Sequence, residues 1–342
     1  MTCKFAIIGT GMISRVHAEE IRSLPGAELT YVLSRDELSG REFADLYGCR
    51  YTTDPRELWA SKEVNAVSVC TPSGTHAQWA VLAARHGKHV MVEKPLDISL
   101  AAADEAIRIC RDSGVKLGVI FQLRFMEELR RAKRLLDDGV LGRLLAADAD
   151  MKFYRPPSYY GNSAWKGTSA LDGGGALINQ GIHGVDLLLW LAGGVSEVVA
   201  ETRTLLHGIE VEDMATAVVR FRSGASGVIR SATCIYPDHP QRLLLHGTRG
   251  TMEIVGTEAP YIRRLEVPDR PELAIADAGA PEDRLGEAHR RQFADFVESI
   301  AEDREPLVNG EEGRKSLVLV DAIYRSSRES RRMVLPKESA QG

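Results

Sequence analysis

The sequence predicts an α/β protein with two domains. The first, residues 1–121, is a doubly wound parallel sheet, and the second, residues 122–342, is an α+β domain with a large, mostly antiparallel open sheet. Strand-like and helix-like segments alternate up to residue 120, as in parallel sheets that are covered by helices on both faces. Beyond residue 121, extended runs follow one another through short turns, which is typical of antiparallel pairing. A chain of 342 residues is long enough for two hydrophobic cores.

Composition excludes several classes of protein. The formal net charge is −5, so the chain lacks the basic footprint of a nucleic-acid binder. No apolar run approaches the roughly 20 residues needed to span a bilayer, and the first residues lead into a strand rather than a signal peptide. The five cysteines are widely scattered, with no metal-binding pair among them. We therefore expect reduced thiols, no metal centre, no membrane partner and a cytoplasmic location.

Hydrophobic periodicity gives the elements of the first domain in order. The expected strands are Lys4–Ile8, Leu29–Leu33, Ala66–Cys70, His89–Val92 and Lys116–Ile120. The expected helices between them are Met12–Ser23, Leu38–Tyr47, His76–His86 and Leu100–Ser113. Gly87 and Gly114 follow two of these helices, where glycine supplies the left-handed residue that ends a helix.

The second domain is expected to be strand-rich. Its extended runs are Leu144–Tyr154, Ser196–Leu206, Met214–Arg222, Ala225–Ser231, Arg242–Gly247 and Thr251–Val255. Its expected helices are Met126–Asp138, Ala176–Leu191, Leu285–Glu302 and Glu311–Ser330. If the helices cover one sheet face, the other face needs a cover of its own. We therefore expect a homodimer or homotetramer that forms through this sheet.

A glycine-rich turn joins the first strand to the first helix. Its sequence is Gly9-Thr10-Gly11-Met12-Ile13-Ser14. Gly9 permits the tight turn, and Gly11 lets the backbone approach phosphate groups that the helix N-terminus then stabilises. Ser14 stands where a third glycine is common, and its small side chain still permits close packing of helix on strand. The pattern in this context predicts a dinucleotide site.

The end of the second strand bears on the choice of cofactor. An acidic residue here would accept hydrogen bonds from the ribose 2′-hydroxyl of NAD. Ser34 occupies that place and Arg35 follows it, and a hydroxyl with a guanidinium suits the 2′-phosphate of NADP. The sequence therefore favours NADP, while Asp36 keeps NAD open, since a small loop shift would bring its carboxylate to the ribose.

Two further segments lie at the carboxyl ends of predicted strands, where ligands of such sheets bind. Thr71-Pro72, with His76 close behind, follows the third predicted strand, and its position rather than its composition predicts a role in binding. Glu93-Lys94-Pro95 follows the fourth. Pro95 keeps Lys94 extended. A lysine fixed there can donate to a substrate hydroxyl and stabilise negative charge on its oxygen, although a lone lysine is more often an ordinary surface residue.

A glycine run opens the long helix of the second domain. Gly173-Gly174-Gly175 predicts that bare backbone approaches a ligand or another chain. Asn179, His183 and Asp186 follow at spacings that share one helix face. Histidine suits proton transfer in an alcohol–ketone reaction, with Asn179 as a substrate ligand and Asp186 orienting the imidazole. A structural histidine is the alternative, and a metal is disfavoured because no second histidine lies nearby.

Together these segments resemble the Gfo/Idh/MocA oxidoreductases, a family that includes glucose–fructose oxidoreductase and inositol dehydrogenase. The resemblance rests on Gly9–Ile13, Thr71-Pro72 with His76, Glu93-Lys94-Pro95, and the glycine run that leads to His183 and Asp186. It covers nearly the whole chain. It implies a Rossmann domain followed by an open-sheet domain, with Lys94 and His183 as the catalytic residues. The cofactor-binding residues that we expect are Gly9, Gly11, Met12, Ile13, Ser34, Arg35, Thr71, Pro72, His76, Glu93, Lys94 and Gln122.

The resemblance also implies the kind of substrate. Gln122 to Phe125 looks like the family's stretch beside the nicotinamide, and Asn-Gln-Gly-Ile-His looks like a subgroup that acts on sugars and their derivatives. Many members have aspartate where this chain has Asn179, so a proton relay through that position is in doubt. The substrate-binding residues that we expect are Arg124, Tyr159, Tyr160, Trp165, Lys166, Asn179 and Asp186; the aromatic residues among them have loop packing or a subunit contact as the alternative.

The expected function is hydride transfer between NADP or NAD and a secondary hydroxyl of a sugar, sugar derivative or cyclic polyol. Two alternatives stay open: a glycosidase that uses a tightly held NAD for transient oxidation, and a non-catalytic sensor that binds the dinucleotide. The intact Lys94 and His183 argue against the sensor.

Overall fold

The computed structural model describes residues 2–277, 279 and 285–336. The chain forms two compact units. The first comprises Met1–Gln122 with Gly286–Arg314, and the second comprises Leu123–Leu285 with Lys315–Gly342. This division differs from the continuous second domain that the sequence predicts, because a segment near the C-terminus returns to the first unit.

The first unit is built on a six-stranded parallel sheet. Its strands are β1 (Cys3–Ile8), β2 (Ala27–Leu33), β3 (Arg50–Thr52), β4 (Ala66–Val69), β5 (His89–Val92) and β6 (Leu117–Val119). Its helices are α1 (Met12–Ser23), α2 (Glu37–Tyr47), α3 (Pro55–Ala60), α4 (His76–Arg85) and α5 (Leu100–Asp112). The strand order is β3-β2-β1-β4-β5-β6. The order reverses between β1 and β4, which is where sheets of this kind bind ligands.

The second unit is built on an eight-stranded sheet. Its strands are β7 (Leu144–Lys152), β8 (Val195–Arg203), β9 (Met214–Phe221), β10 (Ser226–Ala232), β11 (Arg242–Gly247), β12 (Thr251–Val255), β13 (Tyr261–Glu266) and β14 (Met333–Val334). The remaining helices of the chain are α6 (Glu127–Asp137), α7 (Pro157–Gly161), α8 (Ile182–Ala192), α9 (Leu285–Glu302) and α10 (Gly310–Glu329). The order is β13-β12-β11-β7-β10-β9-β8-β14, and every pair except β7–β10 is antiparallel. The predicted fold class is therefore confirmed.

The sheet of the second unit has one covered and one open face. Along β7, Ala147, Ala149 and Met151 are buried, while the alternate residues are partly exposed. Helix α8 packs on the buried face so closely that a Cβ on Gly184 would lie 2.5 Å from the sulfur of Met151. Strands of an antiparallel sheet with one solvated face alternate in this way.

Several elements were not expected from the sequence. Short β3 and α3 lie between α2 and β4, and β13 follows the last strand that the sequence predicts. The long helix predicted from Ala176 begins instead with a π-helical turn, Ala176–Gly181, that continues into α8. Over the described residues, no helix is both long and apolar enough to cross a membrane.

Candidate functional site

The glycine turn after β1 forms a narrow backbone cradle. Gly9 has φ +106°, and a Cβ there would lie 2.6 Å from the carbonyl oxygen of Cys70, so only glycine fits. Gly11 caps α1, with no side-chain cap and no acidic residue in the first turn. A Cβ on Gly11 would meet nothing within 4 Å. The first N–H groups of α1 therefore have no side-chain acceptor there and suit a phosphate group.

Gln122 offers a second indication of a bound dinucleotide. It lies just after β6, and its side chain is buried. Among the described residues, its Oε1 atom has no hydrogen-bond partner. A buried carbonyl oxygen without a donor is costly, and the amide of a nicotinamide would supply one. The glycine cradle after β1 and the unpartnered Oε1 atom of Gln122 both fit the dinucleotide that the sequence predicts.

The loop after β2 carries the residues from which the sequence predicts the choice between NADP and NAD. Ser34 is buried, and its hydroxyl lies 3.3 Å from that of Thr10 in the glycine turn. Arg35 is exposed. The carboxylate of Asp36 caps α2 by accepting the Ser39 N–H at 2.8 Å, and this bond lowers the pKa of Asp36. Its capping role makes the shift towards a ribose less favourable, since the shift would release this N-cap.

His76 contacts two loops that carry other predicted cofactor-binding residues. It is buried, with Nδ1 2.7 Å from the Pro95 carbonyl oxygen and Nε2 2.8 Å from that of Thr71. The imidazole ties together the loops after β4 and β5, on which Thr71, Pro72 and Lys94 lie. Its predicted role in cofactor binding stays a prediction.

Glu93 is also buried, and both of its carboxylate oxygens have partners within the protein. One oxygen accepts from His17 Nε2 at 2.9 Å, and the other accepts the Lys94 backbone N–H at 3.1 Å. Burial alone would raise the pKa of Glu93, but the hydrogen bond and charge of His17 lower it to about 2. Burial alone would lower the pKa of His17, but Cys70 and Glu93 outweigh it and raise the pKa to about 10. The two residues form a buried ion pair.

This pair belongs to the one group in the described part of the chain that could ligate a metal ion. His17, Glu93 and His289 are buried, with their candidate ligand atoms all within 4.8 Å of one another. A metal would need the lone pair of His17 Nε2, which instead donates to Glu93. The raised pKa of His17 makes loss of that proton unfavourable. The geometry favours an ion pair over a metal centre.

In the second unit, the glycine run is explained by the protein's own packing. A Cβ on Gly174 would lie 2.1 Å from the hydroxyl of Tyr324, and one on Gly175 would lie 2.0 Å from the carbonyl oxygen of Glu212. The Glu212 carboxylate accepts the backbone N–H groups of Gly175 and Leu177 at 2.9 and 2.8 Å. At Gly174 and Gly175 the bare backbone contacts other segments of the same unit, which the sequence analysis did not expect.

Asn179 lies within a polar network. Its Nδ2 donates to the buried carboxylate of Asp172 at 2.6 Å, and its Oδ1 accepts from Gln180 Nε2 at 2.9 Å. Gln180 also donates to the hydroxyl of Tyr159 at 2.8 Å and accepts from Arg155. Sequence reasoning assigned no role to Asp172, Gln180 or Arg155, although Asp172 directly precedes the glycine run.

Arg124 and Asp186 form a buried ion pair with each other. The guanidinium donates to both carboxylate oxygens, at 2.8 and 2.6 Å, and both side chains are buried. The sequence does not predict this pairing, and the substrate-binding roles of Arg124 and Asp186 stay predictions. The π-helical turn contributes, because it uses more residues per turn than an α-helix and breaks the single face predicted for Asn179, His183 and Asp186.

The aromatic residues that the sequence predicts to bind substrate are only partly accessible to one. Tyr160 is buried, its hydroxyl lies 2.7 Å from that of Thr233, and its pKa is raised to about 12 by burial. Lys166 Nζ lies over the Tyr159 ring at 3.8 Å. Trp165 is half-buried. A cavity of about 630 Å³ adjoins Tyr160, Lys166, Thr168, His207, Ile209 and Glu210.

Comparisons with known proteins agree with this architecture. Residues 3–121 match the model of an oxidoreductase family with an NAD-binding Rossmann fold, and residues 129–253 match the model of the Gfo/Idh/MocA C-terminal domain. The myo-inositol 2-dehydrogenase of Thermotoga maritima is 27% identical over 97% of this chain and 98% of its own. The inositol 2-dehydrogenase of Rhizobium meliloti is 26% identical over 97% and 99%.

Among solved structures, the WlbA dehydrogenase from Bordetella pertussis, in complex with NADH and UDP-GlcNAcA, is 30% identical. It covers 99% of this chain and 100% of its own with a TM-score of 0.90. The glycine cradle, the strand-end lysine and the two matched models point the same way. The chain therefore belongs to the Gfo/Idh/MocA family of NAD-binding oxidoreductases.

Proposed function

We propose that this protein transfers hydride between a nicotinamide dinucleotide and a secondary hydroxyl of a sugar, sugar derivative or cyclic polyol. The observation that carries the proposal is the carboxyl edge of the first sheet. There the glycine cradle, the orphaned oxygen of Gln122 and the end of β5 with Lys94 follow strands of one sheet. A bound nicotinamide supplies the hydride acceptor or donor.

Lys94 and His183 divide the remaining chemistry. In the oxidative direction, His183 takes the hydroxyl proton, since imidazole exchanges protons near neutral pH. The Lys94 ammonium donates a hydrogen bond to the same oxygen and stabilises its developing negative charge. Reduction runs these roles backward. Asn179, held by Asp172 and Gln180, is a substrate ligand in this proposal.

The experiment is a screen for absorbance change at 340 nm with NAD⁺ and NADP⁺, using myo-inositol, scyllo-inositol, D-apiose, levoglucosan and UDP-GlcNAcA as probes. On the best substrate, His183→Ala should lower kcat by about 10²–10⁴-fold. NADH affinity should stay nearly unchanged, because the cofactor-binding residues proposed here lie in the first unit. Lys94→Ala should lower kcat and weaken substrate binding, and Asn179→Ala should act mainly on KM. His239→Ala, which replaces an exposed histidine of the second unit, is the control.

Near-normal turnover by His183→Ala would refute its assignment as the acid–base residue. Tyr160 would be a poor replacement, because its hydroxyl is bonded to Thr233 and its pKa is raised to about 12. Release of an aglycone with no net absorbance change would identify the glycosidase alternative. NADH binding without turnover of any probe would favour the sensor.

We further propose that NADP is preferred over NAD. Arg35 and Ser34 lie after β2, and the competing carboxylate of Asp36 is used to cap α2. Arg35→Ala should therefore reduce the ratio of NADP to NAD affinity, with Arg41→Ala, an exposed arginine of α2 paired with Glu37, as the control. An unchanged ratio would refute this preference.

The open sheet face supports a partner proposal: a second copy of this chain. Val199, Val218 and Val228 lie side by side across β8, β9 and β10 on that face. Val199 and Val218 are 47% and 57% exposed, and neighbouring apolar side chains in solvent favour association. All five cysteines are free thiols, in keeping with a cytoplasmic location. Light scattering that reports a monodisperse monomer would remove the oligomer proposal.

A further inference from the structure

His17 lies at the centre of the first unit and joins three of its elements. It is fully buried on α1, and its Nδ1 lies 2.7 Å from the hydroxyl of Ser68 on β4. Its Nε2 lies 2.9 Å from Glu93, which directly follows β5. The edge of Phe293 packs against the ring, with centroids 5.0 Å apart. The imidazole therefore has a fixed orientation, with Nδ1 directed at Ser68 and Cys70 and Nε2 directed at Glu93.

The contact between His17 and Glu93 also determines the protonation state of the Glu93 carboxylate. A buried carboxylate without a partner takes up a proton rather than keep its charge. The donor at His17 Nε2 keeps Glu93 ionised, so that its second oxygen remains a strong acceptor. That oxygen receives the backbone N–H of Lys94 at 3.1 Å. The hydrogen bonds run from α1 through Glu93 to the backbone of the residue with the proposed chemical role.

We propose that His17 is a positioning residue for Lys94, acting through Glu93. The inference rests on the proposed function in taking Lys94 as the residue that bonds the reacting oxygen. His17 lies in the middle of α1, away from the N-terminus that is proposed to hold the pyrophosphate. An error of about 1 Å in the position of a group such as Lys94 can cost about 100-fold in rate, so an anchor for the backbone of Lys94 has a function that the sequence pattern alone does not reveal.

Two isosteric variants separate this role from simple packing. In His17→Gln the amide nitrogen lies where Nε2 lies, so a donor to Glu93 is kept. In His17→Asn the amide nitrogen lies where Nδ1 lies, so the contact with Ser68 is kept and the hydrogen bond to Glu93 is lost. We expect amide hydrogen exchange at Lys94 to be about 10–100-fold faster in His17→Asn, as for a lost hydrogen bond to a charged group. His17→Gln should stay within a few-fold of the wild type.

His89→Gln is the control, because His89 begins β5 and bonds the Lys116 N–H at the opposite end of that strand. Equal exchange at Lys94 in the Asn and Gln variants would overturn the proposal. If His17→Asn is too unstable to purify, His17→Leu/Glu93→Leu replaces it, since this variant buries no charge. Wild-type exchange at Lys94 in that double variant would equally overturn it.

Kinetics distinguish failure of this inference from failure of the proposed function. With NADP⁺ or NAD⁺ and the best probe of the screen, His17→Asn should lower the single-turnover rate by about 10–100-fold. The Kd for NADH should change by less than about threefold. If His17 acts through Lys94, the double variant His17→Asn/Lys94→Ala should be no slower than Lys94→Ala. A further loss in the double variant means a general structural role. If Lys94→Ala itself is fully active, the proposed function fails first.

Discussion

The Arg124–Asp186 pair allows a sharp test of structural against substrate-binding roles. Both side chains are buried, at 7% and 1% exposure, and two hydrogen bonds of 2.8 and 2.6 Å join them. Arg124→Met leaves the carboxylate in the interior without its guanidinium. Breaking a buried pair in this way costs about 3–5 kcal/mol. For a domain of the size of the second unit, this corresponds to a fall of about 6–20 °C in Tm.

The assay is differential scanning calorimetry, with steady-state kinetics measured well below the lowered Tm. Arg124→Met/Asp186→Leu should regain much of the lost stability, because it leaves no unpaired charge. Arg131→Met, which removes an exposed arginine 3.5 Å from Glu128, should cost less than about 1 kcal/mol. A raised substrate KM with an unchanged Tm in Arg124→Met would refute the reasoning and restore Arg124 as a substrate ligand.

Three further predictions concern the cradle, the buried pair and the open face. Gly9→Ala should lower Tm and abolish NADH binding, because its Cβ would lie 2.6 Å from the Cys70 carbonyl oxygen. Gly11→Ala should weaken NADH binding with little change in Tm. Equal losses of Tm in the two variants would contradict this prediction. Despite burial, Cys70 and Glu93 raise the pKa of His17 from 6.5 to about 10, and His17 lowers that of Glu93 from 4.5 to about 2, so the stabilisation from these contacts is complete between pH 4.5 and 6.5. It is lost as pH rises towards 10 or falls towards 2, so the difference in unfolding free energy between wild type and His17→Leu should narrow on both sides; a difference independent of pH would count against the ion pair. Val218→Glu should shift the protein to monomer in light scattering, because it places a charge in the middle of the exposed valine row, and an unchanged oligomer would exclude that face.

The sequence predicted best what depends on local pattern. Alternating strands and helices, the turn at Gly9, and the position of Lys94 after a strand all follow from neighbouring residues and from the geometry of parallel sheets. The same reasoning placed Thr71 and Ser34 at strand ends, since the carboxyl ends of parallel strands share one edge.

What escaped prediction depends on contacts between distant parts of the chain. Arg124 and Asp186 are 62 positions apart, and Glu212 caps the turn at Gly175 from 37 positions away. Such pairs cannot be recognised from local pattern, and the same holds for the buried contact of Glu93 with His17. The π-helical turn at Ala176–Gly181 also escaped prediction. Its run is apolar on most sides, so the hydrophobic pattern does not distinguish a π-helix from an α-helix.

The return of residues 286–314 to the first unit has a consequence for synthesis and folding. Phe293 and Phe296 of α9 pack on Phe5 of β1, with ring centroids 5.9 and 6.2 Å away, and Gln292 bonds the backbone of Phe121 and Val119. The ribosome releases β1 long before these partners on α9. The first unit therefore cannot finish its core until α9 has been made, although N-terminal domains generally fold first. A fragment that stops at residue 122 would expose the ring of Phe5.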